Sequence, residues 1–359
     1  MKFKKILAAA LSASMLLGMT NIADLQPNIQ IPTVTATAAD TVDSGSCGPH
    51  STWTLDSEST LTIRGVGEIT SPTFQQYKNI KNVIIENGIT FICDSAFIGC
   101  SDLETITIPD SVTYIGNNAF QGCDSLKSIV IPDSVTEIGK NAFFSCKALE
   151  SITLPDSIIY IKESTFAYCE NLESITIPDS VAYIGQAAFY SCESLKSIVI
   201  PDSVQSIEQG TFYGCISLNS ITIPDSVKSI EDAAFMNCKN LESITILNPI
   251  CKIATAGETI CNSYDSVNKQ SVYNGVINGY KDSTVELYAK KYGRTFVTIK
   301  DIVSSGRCGE NLSFSLDNEG TLTISGTGEI AEGIFRGRKD IKNVIIKNGV
   351  TSIGGVCVL

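Results

Sequence analysis

Apolar side chains recur along this chain at intervals of 23 residues, and three columns of them carry the pattern. In the unit that begins at Leu103, Ile106 and Ile108 alternate with threonines, which predicts one short strand with a single buried face. A unit of this length cannot bury its apolar residues alone, so the pattern predicts a solenoid of stacked units. The columns are Phe97, Phe120, Phe143, Phe166, Phe189, Phe212 and Phe235; Cys100, Cys123, Cys146, Cys169, Cys192, Cys215 and Cys238; and Leu103, Leu126, Leu149, Leu172, Leu195, Leu218 and Leu241.

The residues after the strand predict how each unit turns. Pro109 lacks a backbone donor and ends the strand, and Asp110 and Ser111 supply the turn that sends the chain to the opposite wall. Each unit is therefore expected to contribute one strand. Strands of successive units would pair in parallel at about 4.8 Å, which predicts a right-handed, curved solenoid with its short parallel strands on the concave face.

The repeats divide the chain into five segments. Residues 44–70 recur 261 residues later, and in both copies two alternating runs flank a polar stretch, which predicts a β-hairpin that covers the end of a solenoid. Residues 283–294 predict a helix with Ser283 as its N-cap, followed by a strand at residues 295–299. The segments are a signal peptide (1–38), a β-rich N-terminal cap module (39–79), a repeat array of seven full units and a partial eighth (80–253), an α/β C-terminal cap (254–300), and a second copy of the cap module with the start of a second array (301–359).

The first segment has the features of an export signal. Lys2, Lys4 and Lys5 precede an apolar run of about a dozen residues, and an A-x-A pattern ends at Ala38. That run is too short to cross a bilayer, and no later stretch reaches the roughly 18 apolar residues that a spanning helix needs. We therefore expect a secreted or cell-surface protein without a membrane span in its mature chain.

The last segment starts a second array at Ile341, and barely one unit is present before Leu359. A single unit has no stacking partner to stabilise it. Two interpretations stay open: the chain is truncated at Leu359, or this end packs on another surface.

The repeat segments I-P-x-x-V, I-x-x-x-A-F and C-x-x-L resemble those of the bacterial BspA-like leucine-rich repeats of secreted and surface proteins. The resemblance covers about half of the chain and rests on a specific motif. It implies a leucine-rich-repeat solenoid that acts as an adhesin or a protein-binding surface antigen, in some members toward host matrix glycoproteins or other bacteria. Some members of the family carry anchoring or enzymatic modules. Segments similar to residues 279–293 close the repeat arrays of that family.

The chain contains 13 cysteines, and seven of them form the column described above. Side chains of this column face inward among leucines and phenylalanines, so we interpret them as buried, unreactive thiols. Cys251 and Cys261 lie outside the column as we define it and are the candidates for a disulfide.

Neither a metal site, a cofactor site nor a catalytic site is predicted. Asp110 and its equivalents could line up oxygen ligands for calcium, but one carboxylate per unit falls short of the six to eight oxygens that calcium needs, and turn chemistry explains them. His50 has no nucleophile beside it in a recognisable motif, and its duplicate position is Asn311. We therefore predict that the chain is not an enzyme.

Two sets of outward side chains are the candidate ligand-binding surface. Hydroxyl and charged residues on and beside the strands could bind a partner, or they could only reflect what a solvated sheet tolerates. Aromatic residues of a second column could anchor a ligand or could only pack between neighbouring units. The first set is Glu104, Thr105, Thr107, Lys127, Ser128, Glu150, Ser151, Thr153, Glu173, Ser174, Thr176, Lys196 and Ser197, and the second is Tyr114, Tyr160 and Tyr183; Phe144, Tyr168, Tyr190 and Tyr213 cluster near another column.

The net charge of the chain limits the classes of partner. The formal net charge is -12 and the isoelectric point is about 4.7, which argue against a nucleic acid or an anionic membrane as the partner. The leading hypothesis is adhesion to a protein or glycan on a host, substrate or bacterial surface. The alternative is a non-catalytic scaffolding or targeting arm of a larger secreted assembly or multimodular enzyme.

Overall fold

The computed structural model describes residues 39–70, 73–299, 302–309, 311–346 and 350–353. The chain from Asp40 to Leu359 forms one compact unit. The predicted signal peptide, residues 1–38, lies outside the described residues. The elements below therefore belong to the unit that begins at Asp40.

Short strands follow one another through the described residues. The N-terminal module holds β1 (Thr41–Gly48), β2 (Ser51–Asp56), β3 (Thr60–Gly65) and β4 (Gly67–Ile69). The array holds β5 (Asn82–Ile85), β6 (Ile89–Ile92), β7 (Thr105–Thr107), β8 (Tyr114–Ile115), β9 (Ser128–Val130), β10 (Glu137–Ile138), β11 (Ser151–Thr153), β12 (Tyr160–Ile161), β13 (Ser174–Ile175), β14 (Tyr183–Ile184), β15 (Ser206–Ile207), β16 (Ser220–Ile223), β17 (Ser229–Ile230), β18 (Ser243–Ile246) and β19 (Lys252–Ile253). After it come a single 3₁₀ turn (Gly257–Thr259), β20 (Ser263–Asp265), β21 (Gln270–Val272), β22 (Val276–Gly279), the helix α1 (Thr284–Lys291) and β23 (Thr295–Thr298). The second copy of the module holds β24 (Ile302–Arg307), β25 (Asn311–Asp317), β26 (Thr321–Ile330), β27 (Asn343–Ile346) and β28 (Val350–Ile353).

The predicted parallel stacking is confirmed. Residues 23 positions apart pair across neighbouring units, as in Ser151 with Ser174 and Ile152 with Ile175. Their side chains alternate between exposed and buried, as the sequence predicts for a strand with one buried face. We call the ladders that contain β5, β7, β9, β11, β13, β16 and β18 the first sheet.

Most units contribute two strands, so the expectation of one strand per unit is wrong. The second strand follows the Pro-Asp-Ser turn, as in β8, and it pairs with the next unit through Ile115 and Ile138. Two residues are too few to produce a visible alternation of apolar and polar positions. We call the ladders of β6, β8, β10, β12, β14, β15, β17 and β19 the second sheet.

A third ladder of backbone hydrogen bonds joins the segments that carry the phenylalanines. The amide of Phe97 donates to the carbonyl of Ala119 at 2.8 Å, and the amide of Phe120 donates to Ala142 at 2.8 Å. The bends that orient these amides place Asn118 at a φ of 56°, in the left-handed region that few side chains adopt. Where the ladders of both sheets are continuous, each unit is thus bonded to the next along three walls.

The core between the walls is a stack of phenylalanine rings. Phe74 begins it and Phe235 ends it, with adjacent ring centroids 5.3 to 5.7 Å apart and planes within 14° of parallel. All eight rings are fully buried. Each stacked pair adds about 0.5–1.5 kcal/mol to the free energy gained from burial alone, so the stack favours one register between units.

The serines of the Pro-Asp-Ser turns also join neighbouring units. The hydroxyl of Ser134 donates to the carbonyl of Val112 at 2.6 Å, and that of Ser180 donates to Ile158 at 2.8 Å. The series stops at Ser226, whose buried hydroxyl has no partner. The turn residues predicted from the sequence therefore also bind the preceding unit.

The residue type at one position of the repeat, which is glycine in some units, explains where the second sheet is interrupted. Gly116, Gly139 and Gly185 lie so close to the preceding unit that a Cβ on Gly139 would lie 2.4 Å from the amide nitrogen of Asn117. Lys162 and Glu208 occupy the same column, and the ladders break between β10 and β12 and between β14 and β15. Where one unit has a glycine in this column and the next unit has a larger residue, the side chain of that residue holds the second-sheet strands of the two units apart.

The flanking segments contain the hairpins and the helix that the sequence predicts. β2 and β3 form an antiparallel hairpin in which Trp53 faces Ile63, and β3 continues into the first sheet by pairing with β5. The second copy repeats this arrangement, with Phe314 opposite Ile324. The hydroxyl of Ser283 accepts the amide of Glu286 at 3.1 Å and begins α1 as predicted. The capping roles and the segment boundaries stay predictions.

The close approach at Gly139 has a measurable consequence. We expect Gly139→Ala to lower the free energy of unfolding by about 1–3 kcal/mol, because the new methyl group meets backbone rather than a movable side chain. Glu231→Ala is the matched control, since that position of the same column already carries a Cβ, and we expect a change within about 0.5 kcal/mol. Urea unfolding of both variants checks this; equal effects would contradict the steric explanation.

Candidate interaction surfaces

The first sheet presents its predicted hydroxyl residues on one exposed face. Its strands turn Ile129, Ile152 and Ile175 into the core and leave the residues between them in solvent. We call this surface the hydroxyl face. Its exposed members are Thr105, Thr107, Ser128, Ser151, Thr153, Ser174, Thr176 and Ser197, flanked by exposed Glu104, Lys127, Glu150, Glu173 and Lys196.

Most hydroxyl groups of this face make no bond to the protein. Thr105 donates to the side-chain oxygen of Asn82 at 2.8 Å. In the described part of the chain, the hydroxyl groups of Ser128, Ser151 and Ser174 have no protein hydrogen-bond partner, and their side chains are exposed. Both donors and acceptors are therefore available to a ligand along the face.

The hydroxyl face opens into a cavity at one point. The ladder of the first sheet is interrupted between the segment 197–200 and β16, and a cavity of about 370 Å³ lies there. Ser197, Asp202 and Thr222 line it together with Val199, whose side chain is 80% exposed. The face thus combines a flat polar surface with one partly apolar depression.

The predicted tyrosines lie on a different wall. Tyr160 and Tyr183 face each other across β12 and β14 of the second sheet, with 54% and 39% of their surface exposed. Tyr114 is less exposed and lies against Phe91, with ring centroids 6.1 Å apart. Burial, followed by the negative charges of Glu208 and Glu163, raises the pKa of Tyr183. The structure therefore separates the candidate residues into two surfaces.

Ion pairs surround these tyrosines. The amine of Lys140 lies 2.8 Å from a carboxylate oxygen of Glu163, and Lys162 pairs with Glu137. On the hydroxyl face, Lys196 pairs with Glu173 at 2.8 Å. All three pairs link neighbouring units and are largely exposed to solvent, so they contribute little to stability and more to the charge pattern of the surface.

A further row of rings packs against itself. Tyr190 and Tyr213 stack with centroids 4.4 Å apart and planes 2° from parallel, and Tyr168 contacts both Phe144 and Tyr190 at 5.2 Å. In the unit of Tyr168 the column residue is Ala167, so the ring comes from the next position, at a φ of 62°. Packing between units accounts for this row, because the rings cover one another's faces.

The cysteine column has a structural role that the sequence does not indicate. Each thiol donates to the carbonyl of the phenylalanine 26 residues earlier, as in Cys146 to Phe120 at 3.1 Å and Cys169 to Phe143 at 3.2 Å. Burial raises the pKa of Cys169 to about 12. These thiols therefore remain protonated and join adjacent units at neutral pH.

The disulfide candidates are buried thiols in the structure. Cys261 donates to the carbonyl of Glu258 at 3.4 Å, and burial raises the pKa of Cys251 to about 12. Cys261 also stands 23 residues after Cys238 and accepts its amide at 3.1 Å, so it continues the cysteine column. The spacing could have revealed this position. Pairing of Cys251 with Cys261 stays a prediction.

Two further kinds of site are absent from the described residues. No group of three or more His, Cys, Asp or Glu side chains is arranged to hold a metal ion there. Within the same residues, no helix combines the length and the apolar character needed to cross a membrane.

The comparisons with known proteins decide the family. The model of the BspA-type leucine-rich repeat region matches residues 67–196 and 182–276 in six copies, which is more than half of the chain. The chain belongs to the BspA-type leucine-rich-repeat family. Repeat proteins of this family and fold are usually non-catalytic. No curated protein matches the chain.

The BspA-type chain is similar to solved structures of bacterial leucine-rich-repeat proteins. A leucine-rich-repeat protein from Bacteroides ovatus is 22% identical, with a TM-score of 0.50 over 89% of this chain and 78% of that one. A leucine-rich cell surface protein from Faecalibacterium prausnitzii is 22% identical over 66% of this chain and 99% of that one, with a TM-score of 0.34. The leucine-rich-repeat protein of T. pallidum is 23% identical over 68% and 94%, with a TM-score of 0.37.

Because of the cysteine column, the free energy of unfolding should depend on pH in the alkaline range. The pKa of an unfolded thiol is about 9, whereas burial raises the pKa of Cys169 in the fold to about 12. The folded chain therefore keeps protons that the unfolded chain loses. We expect a constant free energy of unfolding below about pH 8 and a fall above about pH 9.

Urea unfolding of the native chain and of a Cys146→Ala/Cys169→Ala variant between about pH 7 and 11 measures this effect. Each removed thiol should reduce the alkaline slope by up to about 1.4 kcal/mol per pH unit. Thr176→Ala is the control that removes no thiol. Identical slopes in all three proteins would show that the column ionises as readily in the fold as outside it.

Proposed function

We propose that this BspA-type protein is a secreted or cell-surface binding protein that adheres to a protein or glycan through the hydroxyl face. The family and the fold fit a surface or binding role. The observation that carries the proposal is the row of exposed hydroxyl groups without protein partners, repeated on successive strands of the first sheet. A ligand with its own repeated hydrogen-bonding groups could engage several units at once, which raises affinity through multivalency.

The contrast between the buried and the exposed positions of the repeat supports this proposal. Inside, each column keeps one residue type or a close substitute, such as Leu154 among isoleucines, because every unit must fit its neighbours. Outside, the column beside the strands changes from Glu104 to Lys127 and back to Glu150, and β7, β9 and β11 form in all three units. Charge can therefore vary along the hydroxyl face at little cost in stability, and charge pattern is what selects partners at the rim of an interface.

Of the two surfaces, the hydroxyl face is the better candidate for the ligand-binding site. The tyrosine surface of the second sheet has two neighbouring exposed rings, Tyr160 and Tyr183, whereas the hydroxyl face continues over many units and includes the cavity beside Ser197. A longer face offers more simultaneous contacts. The tyrosine surface is kept as the alternative that the experiment distinguishes.

The experiment measures binding of the chain from Ala39 onward to matrix glycoproteins, insoluble polysaccharides and bacterial cells. We expect saturable binding that Ser174→Arg/Ser197→Arg weakens at least tenfold, or about 1.4 kcal/mol. Both serines are exposed and bond through backbone alone, so the variant should fold. Biolayer interferometry or cell pull-down gives the affinities.

Two further variants make the test specific. Glu193→Arg changes the net charge by the same +2 at an exposed position that lies away from Ser174 and Ser197 on the first sheet. This variant should bind as the parent does. Tyr160→Ala/Tyr183→Ala should also leave binding unchanged. Loss in this tyrosine variant alone would move the site to the second sheet, and absence of binding to every member of the panel would contradict adhesion through this array.

A further inference from the structure

The second copy of the N-terminal module contains an apolar groove beside β27 and β28. The groove has a volume of about 240 Å³, and its lining includes Phe335, Val344, Ile346 and Ile353. Within the described residues β27 pairs on one side with β26, and β28 also pairs with β26. The outer edge of this single turn of solenoid is therefore open.

The first copy of the module shows how the same positions are used when they are covered. Val83, Ile85 and Ile92 there are 1%, 2% and 0% exposed. The residues 261 positions later in the second copy are more open. They are Val344, Ile346 and Ile353, which are 37%, 45% and 55% exposed.

Positions that face outward behave differently. Ile84 in the first copy is 42% exposed, and its equivalent Ile345 is 51% exposed. The side chains that face the interior of a solenoid thus differ far more between the copies than Ile84 and Ile345 do. Among the described residues, no neighbouring coil covers these inward side chains of the second copy.

The first copy also identifies that neighbour. The unit from Cys93 to Ile115 covers the first module: β7 pairs with β5, β8 pairs with β6, and Phe97 stacks on Phe74 at 5.3 Å. Phe335 occupies the position of Phe74 and contacts Phe314 edge-on at 5.0 Å, much as Phe74 contacts Trp53 at 5.8 Å. The second copy therefore offers the same surface to a unit of the same kind.

We propose that this groove is the acceptor for one coil of the same 23-residue pattern. Such a coil would pair its first strand with β27 and its second strand with β28, and it would lay its phenylalanine on Phe335. Its inward isoleucines would cover Val344, Ile346 and Ile353. This inference is independent of the proposed function, because it concerns the edge of the second module and not the hydroxyl face.

The test supplies the coil in register and observes the second module alone. Trp53→Phe with Phe314→Trp moves the single tryptophan of the chain into the second module at the equivalent position. Residues 93–300 are then joined directly after Ile353, in the place that they hold after Ile92 in the first copy. We expect the urea midpoint reported by the tryptophan at position 314 to rise by about 1 M relative to the unextended chain.

A matched extension separates packing from mere length. In it, the positions equivalent to Ile106, Ile108 and Ile115 of the joined segment are serine, and we expect no rise in the midpoint. An equal rise with both extensions, or none with the native one, would overturn the proposal. A midpoint of the unextended chain that rises with protein concentration would also overturn it, since a second copy would then fill the groove.

Discussion

Register between successive units is the constraint on which the rest of this structure depends. A unit has two open sides, and each must match the next unit in three backbone ladders and in the outline of its apolar side chains. The phenylalanine stack and the thiol-to-carbonyl bonds of the cysteine column both span neighbouring units. Because each interface repeats the previous one, a side chain that fits one interface is required at all of them, and the interior columns are nearly invariant along the chain.

Departures from the repeat show how strict this requirement is. Where Lys162 follows Gly139 and Glu208 follows Gly185 in one column, the second sheet is interrupted. Where Ala167 takes a position that the neighbouring units fill with Phe144 and Tyr190, Tyr168 supplies the ring from the next position. The exposed positions have no such requirement. The hydroxyl face can therefore change in charge from unit to unit while the fold stays the same, which is the property expected of a binding surface built on a rigid scaffold.

Much of the fold follows from the sequence because its period is long and exact in spacing. The parallel strands, the buried columns, the hairpins and the helix that begins after Ser283 were all predictable. The second strand of each unit was not, because two residues such as Tyr114 and Ile115 show no alternation. Nor were the left-handed bends at positions such as Asn118, which glycine does not mark. The candidate residues fall on two separate walls, and no pattern in the sequence indicates which wall a partner would use, since that depends on groups the chain does not contain.

Deletion of one whole unit tests the central claim most directly. Removal of residues 151–173 takes out 23 residues and restores every column, whereas removal of residues 151–172 leaves each column displaced by one position. We expect the first variant to unfold cooperatively in urea with a midpoint close to that of the parent, and the second variant to lose most of its stability. Similar midpoints for the two deletions would contradict the claim that register between units holds the structure together.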